Sequence, residues 1–263
     1  MLFMRIREFF LKPYSKLVWI LLMMLAWELV AKFAPVSALA FPSLQQIFKA
    51  LFDSIKNGEL VYQMLFSLTL ILEGLFIGVV LAFIMSFLSV VSKVFESFTD
   101  TCVSIFHPLP GIALLPLIIL WIGTGTSAIL FVIVHSVLWP MILNMNAGFK
   151  SIPDVYRKIG DNYEFSRFQS MIRIFIPAAL TYLLAGLKIS WARGWRAVIS
   201  AEMIFGASGS IGGIGWYIFN RRVFMDTAGV YAGILVIIAV GILVEDFIFG
   251  KIEKNTIKKW GLS

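Results

Sequence analysis

Long apolar runs separated by short polar segments dominate the chain. An α-helix needs roughly 20 predominantly apolar residues to cross a hydrocarbon core of about 30 Å. Runs of this length predict transmembrane helices. We place six of them at residues 17–35, 65–91, 101–122, 127–147, 177–204 and 228–249.

Composition supports a membrane protein. Hydrophobic residues make up 60% of the 263 residues and charged residues only 14%, with a mean hydropathy of +0.91. A soluble domain carries about 25% charged residues. The first apolar run is longer than a signal-peptide core and ends at Glu28–Lys32 without a small-residue cleavage site, so we expect it to be retained. The predicted fold is all-α, a polytopic membrane protein with about six transmembrane helices in one domain over residues 1–263.

Basic residues are concentrated on one side of the predicted helices. With both termini cytoplasmic, 14 of the 22 lysines and arginines fall in cytoplasmic segments and 5 in outer ones. The remaining 3 are Lys188, Arg193 and Arg196 in the fifth span. This bias follows the positive-inside rule and therefore predicts cytoplasmic termini. Contact with anionic lipid accounts for the net charge of +7, so no nucleic-acid partner is needed.

A polar, basic loop over about 148–176 interrupts the apolar pattern on the cytoplasmic side. Ser151-x-x-Asp154 and Ser166-x-x-Gln169 have the spacing of capping boxes. They predict a short helix, a break near Glu164–Ser166 and a second helix that enters the membrane at Pro177. A compact helical pair on an otherwise buried protein indicates a docking element for a partner. The predicted docking residues are Asp154, Val155, Tyr156, Arg157, Lys158, Ile159, Gly160, Tyr163, Glu164, Phe165 and Ser166.

The third span contains His107-Pro108-Leu109-Pro110-Gly111 and Pro116. Each proline lacks a donor and clashes one turn back, so a straight helix is excluded. Broken helices at membrane depth occur where they are buried in protein or line a watery cavity. We therefore expect a broken helix beside a pathway, with a kinked packing helix as the alternative.

The fifth span carries charges that are expensive inside a membrane and by default suggest function. One interpretation is an ion pair to Glu28, Glu73 or Glu245 combined with snorkelling. The other is that Arg193 or Arg196 attracts an anionic solute, with Glu202 near the outer mouth. The candidate path residues are His107, Pro110, Trp121, His135, Arg193, Arg196 and Glu202, although single histidines such as His107 and His135 are more often packing residues.

Other motifs favour structural roles. Phe41-Pro42-Ser43 predicts a turn that opens an amphipathic helix on the outer surface. Gly74-x-x-x-Gly78 predicts close helix packing, with a gating hinge as the alternative. The glycine-rich segment 206–215 lacks the strand and the Gly-Lys-Ser/Thr ending of a Walker loop, so a re-entrant outer loop or gate is the better interpretation.

The sequence shows no catalytic constellation. It has no nucleotide-binding loop, so any energy input must come from another chain, and we predict that the protein is not an enzyme. One cysteine, Cys102, excludes a disulfide within the chain, and no metal-ligand spacing is present.

At the level of these motifs the chain resembles the transmembrane permease of bacterial ATP-binding-cassette importers, of the nitrate/sulfonate/taurine type. The resemblance covers most of residues 41–260. It rests on four segments, which are Phe41-Pro42-Ser43, the run from His107-Pro108-Leu109-Pro110 to Trp121-Ile122-Gly123, the run from Ser166-Arg167-Phe168-Gln169 to Pro177-Ala178-Ala179-Leu180, and Ala201-Glu202-Met203.

The cytoplasmic signature of that family is Glu-Ala-Ala, three residues, Gly, nine residues and Ile-x-Leu-Pro. Its last part matches as Ile174-Phe175-Ile176-Pro177. The first part departs, because Lys158-Ile159-Gly160 stands in place of Glu-Ala-Ala and Glu164 in place of the glycine. A glycine there would end the first helix in a left-handed cap, so Glu164 implies either a more costly turn or a different one.

The resemblance implies a mechanism and partners. Two copies of the chain would line a path across the bacterial plasma (inner) membrane. A periplasmic or lipid-anchored binding protein would deliver the solute, and two cytoplasmic ATPase subunits, which hold the ATP and magnesium, would seat the docking helices. No cofactor is expected in this chain. Sulfonate, taurine or nitrate is the expected kind of solute, and a neutral or cationic heterocycle is the alternative.

Another class of transporter remains open at this stage. An ion-coupled secondary transporter would carry its own coupling-ion site and internal repeats, which the sequence does not display. An intramembrane enzyme would need a catalytic pair, and a structural scaffold would not need charges in the fifth span.

Overall fold

The computed structural model describes residues 15–35, 37, 39–206 and 212–258. Within these ranges the chain forms eleven helices, counting contiguous turns of different helix type together, and no β-strand. This result confirms the all-α prediction. Residues 1–14 and 259–263, on which the prediction of cytoplasmic termini partly rests, lie outside the described residues, as do 207–211 of the glycine-rich segment.

The first six helices occupy the chain up to residue 150. Prolines, glycines and polar caps set their ends. For example, the helix that ends at Ile122 is followed by Gly123 with φ +87°, and the helix that begins at Thr126 is preceded by Gly125 with φ +112°, which are conformations that favour glycine. Their bounds are α1 Ser15–Phe33, α2 Leu44–Lys56, α3 Glu59–Val91, α4 Lys93–Phe106, α5 Gly111–Ile122 and α6 Thr126–Lys150.

The second half of the chain begins with a short helix and ends with a long one. Two helices in this half contain π-helical turns, the first at Met171–Phe175 and the second at Leu243–Phe249 and Lys254–Lys258. The bounds are α7 Asp154–Asn162, α8 Arg167–Ala178, α9 Leu180–Phe205, α10 Ile214–Val223 and α11 Thr227–Lys258.

Three helices among the described residues, α3, α6 and α11, are long and apolar enough to cross a membrane. The pairs α4–α5 and α8–α9 are each bent, by 88° and 77°, and raise the number to five if each pair is one span. These findings confirm a polytopic membrane protein, and five of the six predicted spans correspond to these helices and bent pairs. The remaining predicted span, 17–35, corresponds to α1, a helix that contains the ion pair Lys32–Glu28, 3.1 Å between charged atoms.

The chain divides into two compact units, residues 1–61 with 218–235 and residues 62–217 with 236–263. In the first unit, a helix follows the turn predicted at Phe41-Pro42-Ser43, and Ser43 caps this helix, α2, in a capping box with Gln46 that was not predicted from the sequence. The indole of Trp27 donates to the carbonyl of Pro42 at 3.0 Å and stacks on the ring of Phe41. The predicted single domain over 1–263 stays a prediction.

The second unit is built around α6 and α9, which pack along each other. Small residues allow α3 to approach α6 closely. A Cβ atom at Gly74 would lie 2.4 Å from Cγ2 of Ile133, and one at Gly78 would lie 2.6 Å from Cγ1 of Val137. These contacts confirm that the Gly74-x-x-x-Gly78 motif serves close helix packing.

Candidate functional site

A broken helix forms one wall of the candidate site. The helix α4 ends at Phe106, and His107-Pro108-Leu109-Pro110 leads into α5 through a 3₁₀ turn that begins at Gly111. The broken helix predicted from the prolines is confirmed. A Cβ atom at Gly111 would lie 3.0 Å from Oγ of Ser136, so this glycine lets the break lie close against α6.

An open cavity of ≈ 560 Å³ lies at this break. Its walls come from the proline segment, from α6 and from the middle of α9. The cavity brings together four of the seven predicted path residues, His107, Pro110, Arg193 and Arg196. The hydroxyl-bearing Ser136 and Ser200, which the sequence did not suggest, also line it.

The two arginines are the charged groups of this cavity. Nη1 of Arg193 donates to the carbonyl of His107 at 3.5 Å, and Nε of Arg196 donates to the carbonyl of Ala192 in its own helix at 3.0 Å. Among the described residues, no ion pair joins either guanidinium to a carboxylate. The predicted alternative of an ion pair to Glu73 or Glu245 is therefore not observed, and Glu28 pairs with Lys32 instead.

Glu202 does not line the cavity. It is fully buried, and its carboxyl group accepts from the hydroxyl of Ser67 at 2.7 Å and from the amide of Gly215 at 2.9 Å. The Ser67 oxygen in turn accepts from the amide of Ile214 at 2.9 Å. A Cβ atom at Gly213 would lie only 1.9 Å from Oε1 of Glu202, so the chain requires glycine here. The carboxyl group thus fastens the start of α10 to α3 and α9.

The other two predicted path residues also lie outside the cavity lining. His135 is buried, and its ring packs edge-on against Phe106 and Trp139 at centroid distances of 6.5 and 6.1 Å. This environment is that of a packing histidine. Trp121 is 69% exposed on the surface of α5.

The loop that was predicted to dock a partner has the predicted break. Glu164 takes a left-handed conformation with φ +52°, so glutamate here adopts the conformation that glycine would favour. The amides of Glu164 and Phe165 donate to the carbonyls of Asp161 and Gly160, both at 3.0 Å. This pair of bonds is a Schellman motif and closes α7.

One of the two predicted capping boxes is confirmed and the other is wrong. Ser166 and Gln169 form a reciprocal capping box at the start of α8. Ser151 is instead the C-terminal cap of α6, and its hydroxyl donates to the carbonyl of Gly148 at 2.8 Å. The N-cap position of α7 is Pro153, which makes no side-chain cap. Because α6 extends to Lys150, Ser151 caps the C-terminus of α6 and does not cap the N-terminus of α7.

The short helix α7 presents different residues to solvent and to the protein. Val155, Tyr156, Ile159 and Tyr163 are large apolar side chains that are at least 41% exposed. Gly160 is buried, and a Cβ atom there would lie 3.0 Å from Cδ1 of Ile174. An exposed apolar face on so small a helix is typical of an interaction surface.

Of the other predicted docking residues, Arg157 turns towards the protein. Its Nη2 donates to the carbonyl of Phe149 at 3.2 Å, and its guanidinium lies 5.2 Å from the centroid of the Phe175 ring. Asp154 and Lys158 are exposed, and Phe165 lies under the guanidinium of Arg173 at 5.1 Å.

Comparison with known proteins shows related membrane transport components. Residues 74–258 match the family described as binding-protein-dependent transport system inner membrane component. A Bacillus subtilis (strain 168) protein described as an aliphatic sulfonates transport permease is 26% identical over 234 residues, which cover 89% of this chain and 83% of the relative. The taurine transport system permease protein of Escherichia coli (strain K12) is 28% identical over 224 residues, covering 83% and 80%. The nitrate import permease protein of Synechocystis sp. is 29% identical over 188 residues, covering 71% and 66%.

The matched region includes both bent helix pairs, the cavity lined by the arginines and the loop that was predicted to dock a partner. Membership of a transport family is consistent with a sequence that has no catalytic or nucleotide-binding motif. Because the match covers well over half of the chain, the chain belongs to the binding-protein-dependent transport system inner membrane components, and it is a permease subunit of an ATP-binding-cassette importer rather than an enzyme.

Proposed function

We propose that this permease imports a small anion such as a sulfonate, taurine or nitrate. The observation that carries the proposal is the pair Arg193 and Arg196, which lines a ≈ 560 Å³ cavity at the broken helix without a carboxylate partner among the described residues. An arginine at the centre of a membrane helix costs about 2.5 to 3.5 kcal/mol. A water-filled path that carries anions offsets this cost, because the guanidinium groups stay hydrated when the path is empty and are neutralised when it is occupied.

The relatives support an anionic solute. Their names refer to aliphatic sulfonates, taurine and nitrate, each of which carries a negatively charged oxygen group. Arginine suits such groups because its planar fork of donors matches the oxygens of an oxyanion. A neutral or cationic heterocycle, the alternative solute, would gain little from two unpaired guanidinium groups.

In the complete importer, two copies of this chain form the path, and the exposed apolar face of α7 seats in a groove of a cytoplasmic ATPase. Both termini then lie in the cytoplasm, and a periplasmic or lipid-anchored protein delivers the solute from outside. ATP and magnesium are held by the ATPase pair. ATP shifts the path between inward- and outward-facing states only because it binds one state of the assembly more tightly than the other.

Uptake by the reconstituted complex tests the proposal. The permease, its ATPase and its binding protein are placed in liposomes, and ATP-dependent uptake of taurine, ethanesulfonate and nitrate is compared with uptake of a neutral and a cationic heterocycle. Uptake of one of the anions with ATP and without an ion gradient supports the proposal. Preference for a heterocycle, or uptake that follows an ion gradient without ATP, refutes it.

Arginine variants test the observation itself. Arg193→Gln and Arg196→Gln should lower anion uptake while the complex still assembles. Lys188→Gln is the matched control, because it removes a cation from the same helix at a position outside the cavity lining. Unchanged uptake together with reduced thermal stability of the arginine variants would assign them a structural role.

A further inference from the structure

An ion-pair cluster joins α6 to the first half of the broken helix. Lys150 is the last residue of α6, and its Nζ lies 3.0 Å from Oε1 of Glu96 and 3.3 Å from Oδ2 of Asp100. Both carboxylates belong to α4. The side chain of Glu96 is 19% exposed, so this is the better shielded of the two contacts. We call Lys150, Glu96 and Asp100 the α4–α6 clamp.

The docking helix reaches the same end of α6. Arg157 on α7 donates to the carbonyl of Phe149, the residue that precedes Lys150. Arg157, Phe149, Lys150 and Glu96 also line one small cavity of ≈ 70 Å³. Arg157 therefore connects α7 to the last turn of α6, where the clamp begins.

The helix α4 leads from the clamp to the solute cavity. It has 14 residues and so extends about 21 Å. His107 follows its last residue, lines the cavity and accepts from Arg193 through its carbonyl. One end of α4 is thus tied to the docking region and the other to a cavity arginine. The helix α4 is continuous up to Phe106, and the proline break follows it with a bend of 88°.

We propose that the α4–α6 clamp is a positioning device that transmits movement of the ATPase-docking helix through α4 to the broken helix of the cavity. This role rests on the proposed import function. Networks of packed helices and ion pairs transmit energetic coupling between sites when they join elements that have two arrangements. The clamp itself touches neither the solute cavity nor the exposed docking face, so Lys150 acts through α4.

The test uses the reconstituted importer and compares the two lysines that pair with Glu96, which are Lys150 on α6 and Lys93 on α4. Lys150→Gln removes the contact between α6 and α4. Lys93→Gln is the matched control, because Nζ of Lys93 lies 2.9 Å from Oε2 of the same Glu96 but belongs to α4 itself. Lys150→Arg restores the cation. The readout is the number of anions taken up per ATP hydrolysed, with taurine, ethanesulfonate or nitrate as the probe that the wild-type complex transports.

We expect Lys150→Gln to lower this ratio by at least two-fold, which corresponds to the lower end of coupling energies measured for such networks. Lys93→Gln and Lys150→Arg should stay close to wild type. ATPase retention on the purified permease serves as the structural readout and should be the same for all four proteins. A loss of retention in Lys150→Gln would show a folding or docking defect and would overturn the proposal.

A double variant sharpens the test. Glu96→Gln should lower the ratio as well. Adding Lys150→Gln to it should cause a further loss smaller than that of Lys150→Gln alone, because the Lys150–Glu96 contact is already broken and only the more exposed Lys150–Asp100 contact remains to be lost. Additive losses, or an unchanged ratio in Lys150→Gln, would contradict the clamp. If the wild-type complex takes up none of the anions with ATP, the proposed function fails instead, so the two failures are distinguishable.

Discussion

Replacing Ser67 with alanine should destabilise the protein more than any other serine-to-alanine change in α3. The Ser67 hydroxyl donates to the Glu202 carboxyl group at 2.7 Å and accepts from the amide of Ile214 at 2.9 Å. All three residues are fully buried. Alanine at position 67 removes the hydroxyl, so the Glu202 carboxyl group loses one hydrogen-bond donor and the Ile214 amide loses its acceptor. Both groups are buried, so water does not replace the hydroxyl.

The magnitude follows from the two lost contacts. A hydrogen bond to a charged group contributes about 1.5–3 kcal/mol, and a buried amide left without a partner costs about 1–3 kcal/mol. Hydrogen bonds between membrane helices average nearer 0.6 kcal/mol, so we take a value in the lower part of the range obtained by adding these two contributions. Glu202 also keeps its bond from Gly215. We therefore expect a loss of about 3 kcal/mol in the free energy of unfolding.

The assay is denaturant or thermal unfolding of the detergent-solubilised protein, with Ser86→Ala as the control. Ser86 lies on the same helix, is equally buried and has a hydroxyl oxygen that forms no hydrogen bond among the described residues. Its replacement should leave stability nearly unchanged. If Ser67→Ala costs no more than Ser86→Ala, the contribution assigned to the Glu202 network is wrong.

Three further predictions concern the packing of α3 against α6, the turn after α7 and the assembly. Gly78→Ala should lower the free energy of unfolding by about 1–3 kcal/mol because its Cβ would lie 2.6 Å from Val137. Gly241→Ala should raise the free energy of unfolding slightly, because no atom of the described residues outside its own helix lies within 4 Å of its Cβ. Equal effects in thermal unfolding would contradict the packing argument. Glu164→Gly should stabilise the chain by up to about 1 kcal/mol, since glycine takes the left-handed conformation at φ +52° without strain, and a loss of stability would show that the glutamate side chain matters more than its backbone. Native mass measurement of the importer should find two copies of this chain, and a single copy paired with a different permease would refute the homodimer.

The fold was largely predictable because its determinants are local. Apolar runs of spanning length, the prolines at 108 and 110 and the Ser166–Gln169 capping box each specify structure within a few residues of themselves. The predicted cap at Ser151 failed for a reason that is also local. The pattern Ser-x-x-Asp does not reveal that the preceding helix extends to Lys150 and takes the serine as its own C-terminal cap.

The site was predictable only in part because its contacts are distant in sequence. The cost of charge in a membrane singled out Arg193 and Arg196, which line the cavity, and it also singled out Glu202, which does not. The partner of Glu202 is Ser67, which is 135 residues away and is a single hydroxyl in an apolar helix. Nothing in the spacing of residues around Glu202 indicates that a hydroxyl from α3 and an amide from α10 satisfy its carboxyl group.

The exposed apolar face of α7 gives a last prediction, because we propose that the ATPase covers it. Val155 is 58% exposed in the first turn of α7, where an acidic residue favours the helix through its dipole. Val155→Asp should therefore keep the helix but place a charge in the ATPase groove. Truncating an apolar interface anchor costs about 2 kcal/mol or more, which corresponds to roughly 30-fold weaker association. Phe52→Asp, on the exposed face of α2, is the control and should leave ATPase co-purification unchanged. Normal ATPase retention by Val155→Asp would mean that the partner binds another surface, and an equal loss in both variants would point to general misfolding rather than docking.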